Sequence, residues 1–421
     1  MSIPLSLRLY GLATGLAEPL APLLLRARAR RGKEETARLP ERLGHASMAR
    51  PDGPLVWLHG ASVGESLSLL PLVDRLGQDR PGLNILVTSG TVTSAEMMRL
   101  RLPPGVIHQY APVDAPRAAR RFLDHWRPDL VVFVESELWP NLLLGAKRHG
   151  ARLALVSARM TEASAQGWRR TPASAKAMLG AFDLVLPQDD TAAARLSGLG
   201  ARDDGRLNLK YAGASLPADM EALAPLRAAV GERPVLVVAS THADEEDTAL
   251  DAFQAHLDHP DKPLLVIVPR HPDRGAWVAD MADARGFATA RRGAGGAVTT
   301  GIEVYVADTL GEMGLWLRLG RTALVGGSMI AGVGGHNPLE PIRLGCPALT
   351  GPHVASWQGV YDELIEADAV RVVAHADALS VAFGDAIAGR DEVRATAAQV
   401  IATRQAQALD AGFAKVEALL P

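Results

Sequence analysis

The chain has 421 residues, more than a single core usually organises and suited to two domains of about 200 residues each. Apolar residues make up 48% and charged residues 22%, as in an ordinary soluble globular protein, and a formal net charge of −3 excludes the global basic field of a nucleic-acid binder. The single cysteine, Cys346, excludes an internal disulfide, and no Cys/His cluster has zinc spacing.

Residues 3–25 are largely apolar, but Arg8, Glu18 and prolines interrupt them, and Arg26, Arg28, Arg30, Arg31 and Lys33 follow at once. A spanning helix needs about 20 predominantly apolar residues, so this stretch is a marginal candidate. No small-residue cleavage site follows, which argues against a secretory signal. Two readings stand: a buried or interfacial amphipathic helix, or a membrane anchor whose basic flank holds the body on the cytoplasmic side.

From Pro54 onward short apolar runs alternate with helical patterns. Leu55–His59, Asn84–Thr88, Asp129–Val134, Arg152–Val156 and Phe182–Leu186 suit parallel strands buried on both faces. Helical patterns lie between them at Leu67–Leu76, Ala95–Leu102, Pro116–His125 and Asn141–His149. The spacing falters between Ala212 and Pro234, where a short helix over Ala218–Val230 marks the linker. Strands then resume at Pro234–Ala239, Pro263–Val268, Glu303–Ala307, Thr322–Val325 and Pro347–Thr350, and an alanine-rich helix spans Asp391–Leu420. This predicts an α/β protein with a membrane-associating segment over 1–45 and two doubly wound, Rossmann-like domains over 46–215 and 230–421, facing a central cleft. The final helix is placed to pack back on the first domain. Ligands of such sheets bind beyond the carboxyl ends of the strands, and the polar strings of this chain fall there.

His59-Gly60-Ala61-Ser62-Val63-Gly64-Glu65 joins a strand to a helix. It reads either as a tight turn with Glu65 favouring the helix dipole, or as an anion site with Glu65 as general base. Glu135-Ser136-Glu137-Leu138-Trp139-Pro140 follows an apolar strand; it either caps a helix or places Glu135 beside a second ionisable group. Lys210, in Asn208-Leu209-Lys210, is either a solvated surface lysine or a cation that offsets charge on a leaving group. Ser240-Thr241-His242 precedes Glu245 and Glu246, which read as first-turn helix acids, whereas His242 is harder to explain as packing. Pro269-Arg270-His271-Pro272 places a guanidinium rigidly, as a phosphate requires. Asp308-Thr309-Leu310-Gly311-Glu312-Met313 follows another strand, and Gly334-Gly335-His336-Asn337-Pro338-Leu339-Glu340-Pro341 is the most specific string. Its helix start suits a nucleotide phosphate, and Glu340 suits ribose hydroxyls.

Together HGASVGE, VESELWPNL, NLK, STH with EE, PRHP, DT with GEM and GGHNPLEP resemble, in order from His59 to Pro341, the Kdo transferases that act on lipid IVA, glycosyltransferases of the GT-B fold. Arg38–Gly44 (RLPERLG) looks like the family's basic segment after its anchor. The resemblance implies inverting transfer of 3-deoxy-D-manno-octulosonic acid (Kdo) from CMP-Kdo to lipid IVA in lipopolysaccharide core synthesis, at the cytoplasmic side of the inner membrane. It implies Glu65 as catalytic base, and Glu135 and Lys210 as transition-state stabilisers. It assigns CMP binding to Pro269, Arg270, Gly311, Glu312, Met313, Asn337, Pro338, Leu339 and Glu340; Ser240, His242 and Gly335 are further donor contacts. No cofactor and no metal is expected, because Lys210, Arg270 and glycine-rich helix starts can balance the donor's charge; no nucleic acid is expected as partner.

The chain departs from the pattern at Arg206, where a glycine commonly opens the NLK motif, at Ser157–Glu162, and in its more polar N-terminal segment. Another GT-B enzyme with a different nucleotide sugar is the nearest alternative. A non-catalytic nucleotide-binding protein would need no base such as Glu65, and a dehydrogenase would need a G-x-G-x-x-G after the first strand, which is absent.

Overall fold

The computed structural model of the protein describes residues 3–213 and 215–421. β1 (Leu55–His59), β2 (Asn84–Ser89), β3 (Ile107–Tyr110), β4 (Leu130–Val134), β5 (Arg152–Ala158) and β6 (Leu184–Pro187) form a sheet in the order β3-β2-β1-β4-β5-β6. β7 (Val235–Thr241), β8 (Leu264–Pro269), β9 (Thr289–Arg291), β10 (Val304–Val306), β11 (Thr322–Val325), β12 (Ala348–Thr350) and β13 (Val370–Val372) form a second, in the order β13-β12-β11-β7-β8-β10-β9. Neighbours are parallel in both. The chain winds to one side of β1 and of β7, in the second sheet with β10 returning between β8 and β9, and then crosses to the other side of each. The topological switch points therefore lie between β1 and β4 and between β7 and β11, where the doubly wound fold places its ligands.

The apolar runs are strands because helices cover both faces, so their central positions are buried and only starts such as Arg152 face water. In β7, Leu236 and Val238 enter one core with Phe253, Ile267 and Phe383. The alternate residues Val235, Val237 and Ala239 enter another with Tyr305 and Trp316. In the first sheet Trp57 and Phe133 meet Phe122 and Trp126 in the corresponding core.

The chain divides into two compact units, Met1–Gly213 with Gln405–Pro421, and Ala214–Arg404. Helix Met220–Val230, assigned above to the linker, belongs to the second unit: Leu223, Leu226 and Val230 are buried against Val235, Val237 and Trp316. The apolar face of that helix needed a core, and the sheet it precedes supplied one. The last helix, Glu392–Glu417, brings Gly412 against Leu207, and Lys415 donates to the Asp204 carbonyl.

The N-terminal residues form helices Leu5–Ala17 and Ala21–Ala29 on the first unit. Glu18, an interruption in the sequence pattern, is buried: its carboxylate accepts from the Arg117 and Ala118 amides at 3.0 and 2.8 Å, capping helix Pro116–Trp126. Asp114 likewise accepts from the Asn141 and Leu142 amides at 3.1 and 2.8 Å and from the Tyr10 hydroxyl at 3.0 Å. Among the described residues no helix is long and apolar enough to cross a membrane. Leu5, Leu9, Leu12 and Leu16 stand exposed instead, at helical intervals on one face, followed by Leu20, Leu23 and Leu24. The Arg38–Gly44 segment is a clamp rather than a free basic stretch. Arg38 pairs with Glu41 through two 2.8 Å bonds, and Glu41 also accepts from the Tyr110 amide at 2.7 Å. Arg42 lies against Glu34 at 3.3 Å with 13% of its side chain exposed.

Candidate active site

The loops after β1, β4 and β5, with the turn Leu209–Ala212, gather the candidate residues of the first unit. After β1 the chain turns at Gly60 straight into helix Val63–Ser68; a Cβ on Gly60 would lie 2.8 Å from the Ser66 nitrogen, so the approach requires glycine. Ser62 and Glu65 form a capping box. The Ser62 hydroxyl accepts from the Glu65 amide at 3.3 Å and donates to its carboxylate at 2.8 Å, and the other carboxylate oxygen accepts from the Ala61 amide at 2.9 Å. The tight-turn reading, with Glu65 in the first turn of the helix, is therefore correct as structure. It fixes the half-buried Glu65 carboxylate at the switch point without using all its lone pairs.

Glu135, directly after β4, has φ 58°, and Ser157, near the end of β5, has φ 49°. Non-glycine residues in this region cost about 1–3 kcal/mol and cluster at functional sites. The two loops are stitched together: the Glu135 amide donates to Val156 O and the Arg159 amide to Glu135 O, both at 3.2 Å. Ser157 Oγ accepts from the Leu209 amide at 3.3 Å, and Asn208 Oδ1 from the Lys210 amide at 3.1 Å, which sets Lys210 beside this group. Arg206, at the position of the family's glycine, is occupied by Asp190 and Asp203 at 2.8 and 2.6 Å.

These residues act on one another electrostatically. Burial, then the Glu65 charge, raises the Glu135 carboxyl above its ordinary range, while Lys210 and Arg159 oppose the shift. Glu137 is raised by burial, then by Glu65. Burial, then Arg159, lowers Lys210, against the pull of Glu135. Glu65, Glu135 and Lys210 thus share one field. Arg159, named above only within the Ser157–Glu162 departure and not as a site residue, joins them; it stands just beyond a strand end, as Glu135 does.

In the second unit, loops after four adjacent strands, β11, β7, β8 and β10, carry the candidates along one sheet edge. Ser240 has φ 58° where β7 and β8 shift register. His242 and His336 lie with Nε2 atoms 2.9 Å apart and rings 15° from parallel; His271 sits edge-on to His242 with centroids 6.1 Å apart. Arg270 is exposed at the end of β8, and its charge is felt by His242, His336 and Glu340. Burial raises Glu340, against Arg343, Arg270 and a hydrogen bond from Asn337. Pro269, Arg270, Ser240, His242, Gly335, Asn337 and Glu340 are thus held on adjoining loops. The helix after Asn337 is a single turn, Leu339–Ile342, and Pro338 and Leu339 are buried, leaving mainly their backbone to meet a ligand. Gly311 to Met313 follow β10, on the far side of β8. There the Glu312 carboxylate is held by Arg292 at 2.7 and 3.0 Å and lowered by it.

Glu245 holds this edge together. Its side chain is fully buried and accepts from the amides of Gly327, Ser328 and Met329 at 2.7, 3.0 and 2.9 Å, and from that of His242 at 3.0 Å. Glu246, also buried, takes Thr241 Oγ1 at 2.9 Å and Arg274 at 3.2 Å. Neither is merely a first-turn acid.

Comparison with known proteins gives the family of the chain. The sequence model of the family described as 3-deoxy-D-manno-octulosonic-acid transferase (kdotransferase) matches residues 37–212. The 3-deoxy-D-manno-octulosonic acid transferase of Bordetella pertussis is 37% identical over 86% of this chain and 86% of its own. A probable mitochondrial 3-deoxy-D-manno-octulosonic acid transferase of Arabidopsis thaliana is 34% identical over 87% of this chain and 84% of its own. A glycosyltransferase from Rickettsia africae shares the fold, with a TM-score of 0.55 at 11% identity over 88% of this chain and 99% of its own. Two doubly wound parallel sheets with polar loops at their switch points, and relatives of this length and identity, place the chain in the 3-deoxy-D-manno-octulosonic acid (Kdo) transferase family of GT-B glycosyltransferases.

Proposed function

We propose that this Kdo transferase moves Kdo from CMP-Kdo to lipid IVA, with inversion and without a metal, in lipopolysaccharide core synthesis at the cytoplasmic face of the inner membrane. The grouping of Glu65, Glu135 and Lys210 at one switch point carries the reading. Glu65 takes the proton of the acceptor hydroxyl as that oxygen attacks the anomeric carbon of Kdo, and CMP leaves with the bonding electrons. The Glu65 side chain is fixed by the Ala61 amide and Ser62, so its reactive lone pair needs no reorganisation. Lys210 offsets negative charge as the phosphate departs, and Glu135 holds Lys210 in place. A single displacement with one base inverts the centre.

Arg270 and Glu340 serve the nucleotide in this scheme, the first on phosphate and the second on ribose. Arg270→Ala is expected to weaken CMP about ten- to a hundred-fold, the loss of a charge-assisted bond, and Glu340→Ala to weaken it less. Calorimetry with CMP and UDP checks both. Unchanged CMP affinity in the two variants moves the nucleotide site elsewhere, and preference for UDP points to another nucleotide sugar.

The leucine face of helix Leu5–Ala17 and the exposed Arg26, Arg30, Arg31 and Lys33 support attachment to an anionic bilayer surface. Changing Leu9, Leu12 and Leu16 together to Asn removes apolar insertion without touching the core. Sedimentation with vesicles containing phosphatidylglycerol is expected to show at least about tenfold weaker binding, with thermal stability unchanged. Equal binding by the variant and the parent excludes this face as the contact.

A further inference from the structure

His242 and His336 are not explained by packing or by the base-and-cation scheme above. The rings come from different loops, after β7 and before the turn at Leu339–Ile342, and they meet Nε2 to Nε2 at 2.9 Å. The loop glycine Gly327, at φ 66°, makes room: a Cβ there would lie 3.1 Å from the His336 ring. An Nε2···Nε2 hydrogen bond contains one proton, so with both rings neutral one lends N–H and the other its lone pair. One further proton lands on the free Nδ1, leaves the bridge intact and puts N–H on both Nδ1 atoms. The singly charged pair is a ready anion ligand that forms without moving either ring.

We propose that His242 and His336 are the phosphate clamp of the nucleotide half, and that the pair takes up one proton as the phosphate docks. This rests on the reading of the second unit as the CMP-binding half. The groups facing the pair are basic or already satisfied. His271, Arg270 and Arg274 act on His242, and Arg270 and His271 act on His336. The one close carboxylate, Glu245, is engaged by backbone amides, and Tyr361 donates only to the His336 carbonyl, at 3.1 Å. In the free site burial, then the neighbouring His242, Arg270 and His271, hold His336 at about 4, and burial lowers His242 as well. A phosphate dianion reverses that field and raises the pair. Protons are therefore taken up on binding, and affinity for phosphate strengthens as pH falls toward neutrality.

The test is calorimetry of CMP, with cytidine as control, against the full chain at pH 7.5 in HEPES and in Tris, whose ionisation heats differ. CMP is already a dianion there, its second phosphate pKa being about 6. The expected result is uptake of about half to one proton with CMP and none with cytidine. His336→Gln is expected to abolish the uptake and to narrow the preference for CMP over cytidine at least about tenfold; His242→Gln repeats the test if that variant fails to fold. CMP binding without proton uptake, or uptake that survives both substitutions, overturns the clamp while leaving the CMP site standing. A folded parent that binds no CMP overturns the reading of the second unit itself, and the clamp with it.

Discussion

Glu65→Gln is expected to lower kcat by about 10²–10⁴-fold with KM and folding little changed, the usual contribution of a positioned base. The amide is chosen because it separates the two roles of this residue. Glutamine is accepted at the same place in a capping box: its oxygen can take the Ala61 amide and its NH₂ can donate to Ser62 Oγ, so the bonds at 2.9 and 2.8 Å have counterparts. It cannot take a proton. Rates from initial-velocity kinetics, with thermal unfolding alongside, decide the matter. A variant that turns over like the parent removes Glu65 as base; one that loses activity only because it unfolds shows that capping was its whole role.

Glu245→Ala is expected to destabilise the second unit by about 3–5 kcal/mol, the range for breaking a buried, charge-assisted network by deleting one partner. The carboxylate serves four backbone amides, three of them in the glycine loop Gly327–Met329. Its removal leaves buried donors without acceptors and unpins the loop that seats His336. Because the chain has two units, hydrogen exchange is the proper readout. Peptides covering β7, β11 and the glycine loop should lose protection, and those covering β1 and β4 should keep it. CMP affinity should fall with them. Undiminished protection of the loop would show that the amides find other partners and that Glu245 is not its anchor.

The legible part of the fold was the part written in apolar runs. β1, β4 and β8 are buried at every residue, and such runs are read directly. β3 (IHQY) was not read, because its polar residues face inward and are satisfied there. Gln109 Oε1 accepts from Trp126 Nε1 at 3.1 Å, and His108 meets Ser89 Oγ at 3.0 Å. The edge strands β9 (TAR) and β13 (VRV), 3 residues each, carry an arginine and partly exposed positions, so unlike the buried β10 and β12 they do not stand out from loop sequence. The same distinction runs through the site. Glu65, Glu135 and Lys210 stood in specific strings, the first two just after strands and the third on the turn Leu209–Ala212, and the fold brings them into one field. Glu245 and Glu18 looked like helix acid and helix flaw, because their partners are backbone amides at positions 327–329 and 117–118, contacts that no local pattern encodes.

The most direct measurement of the central claim is transfer itself. The purified full chain is incubated with lipid IVA and freshly generated CMP-Kdo, with Glu65→Gln in parallel, and products are read by mass spectrometry. The account predicts whole Kdo additions to lipid IVA with the parent protein and almost none with the variant. A folded parent that binds CMP yet leaves lipid IVA unmodified, or that transfers from a uridine-linked sugar instead, contradicts it.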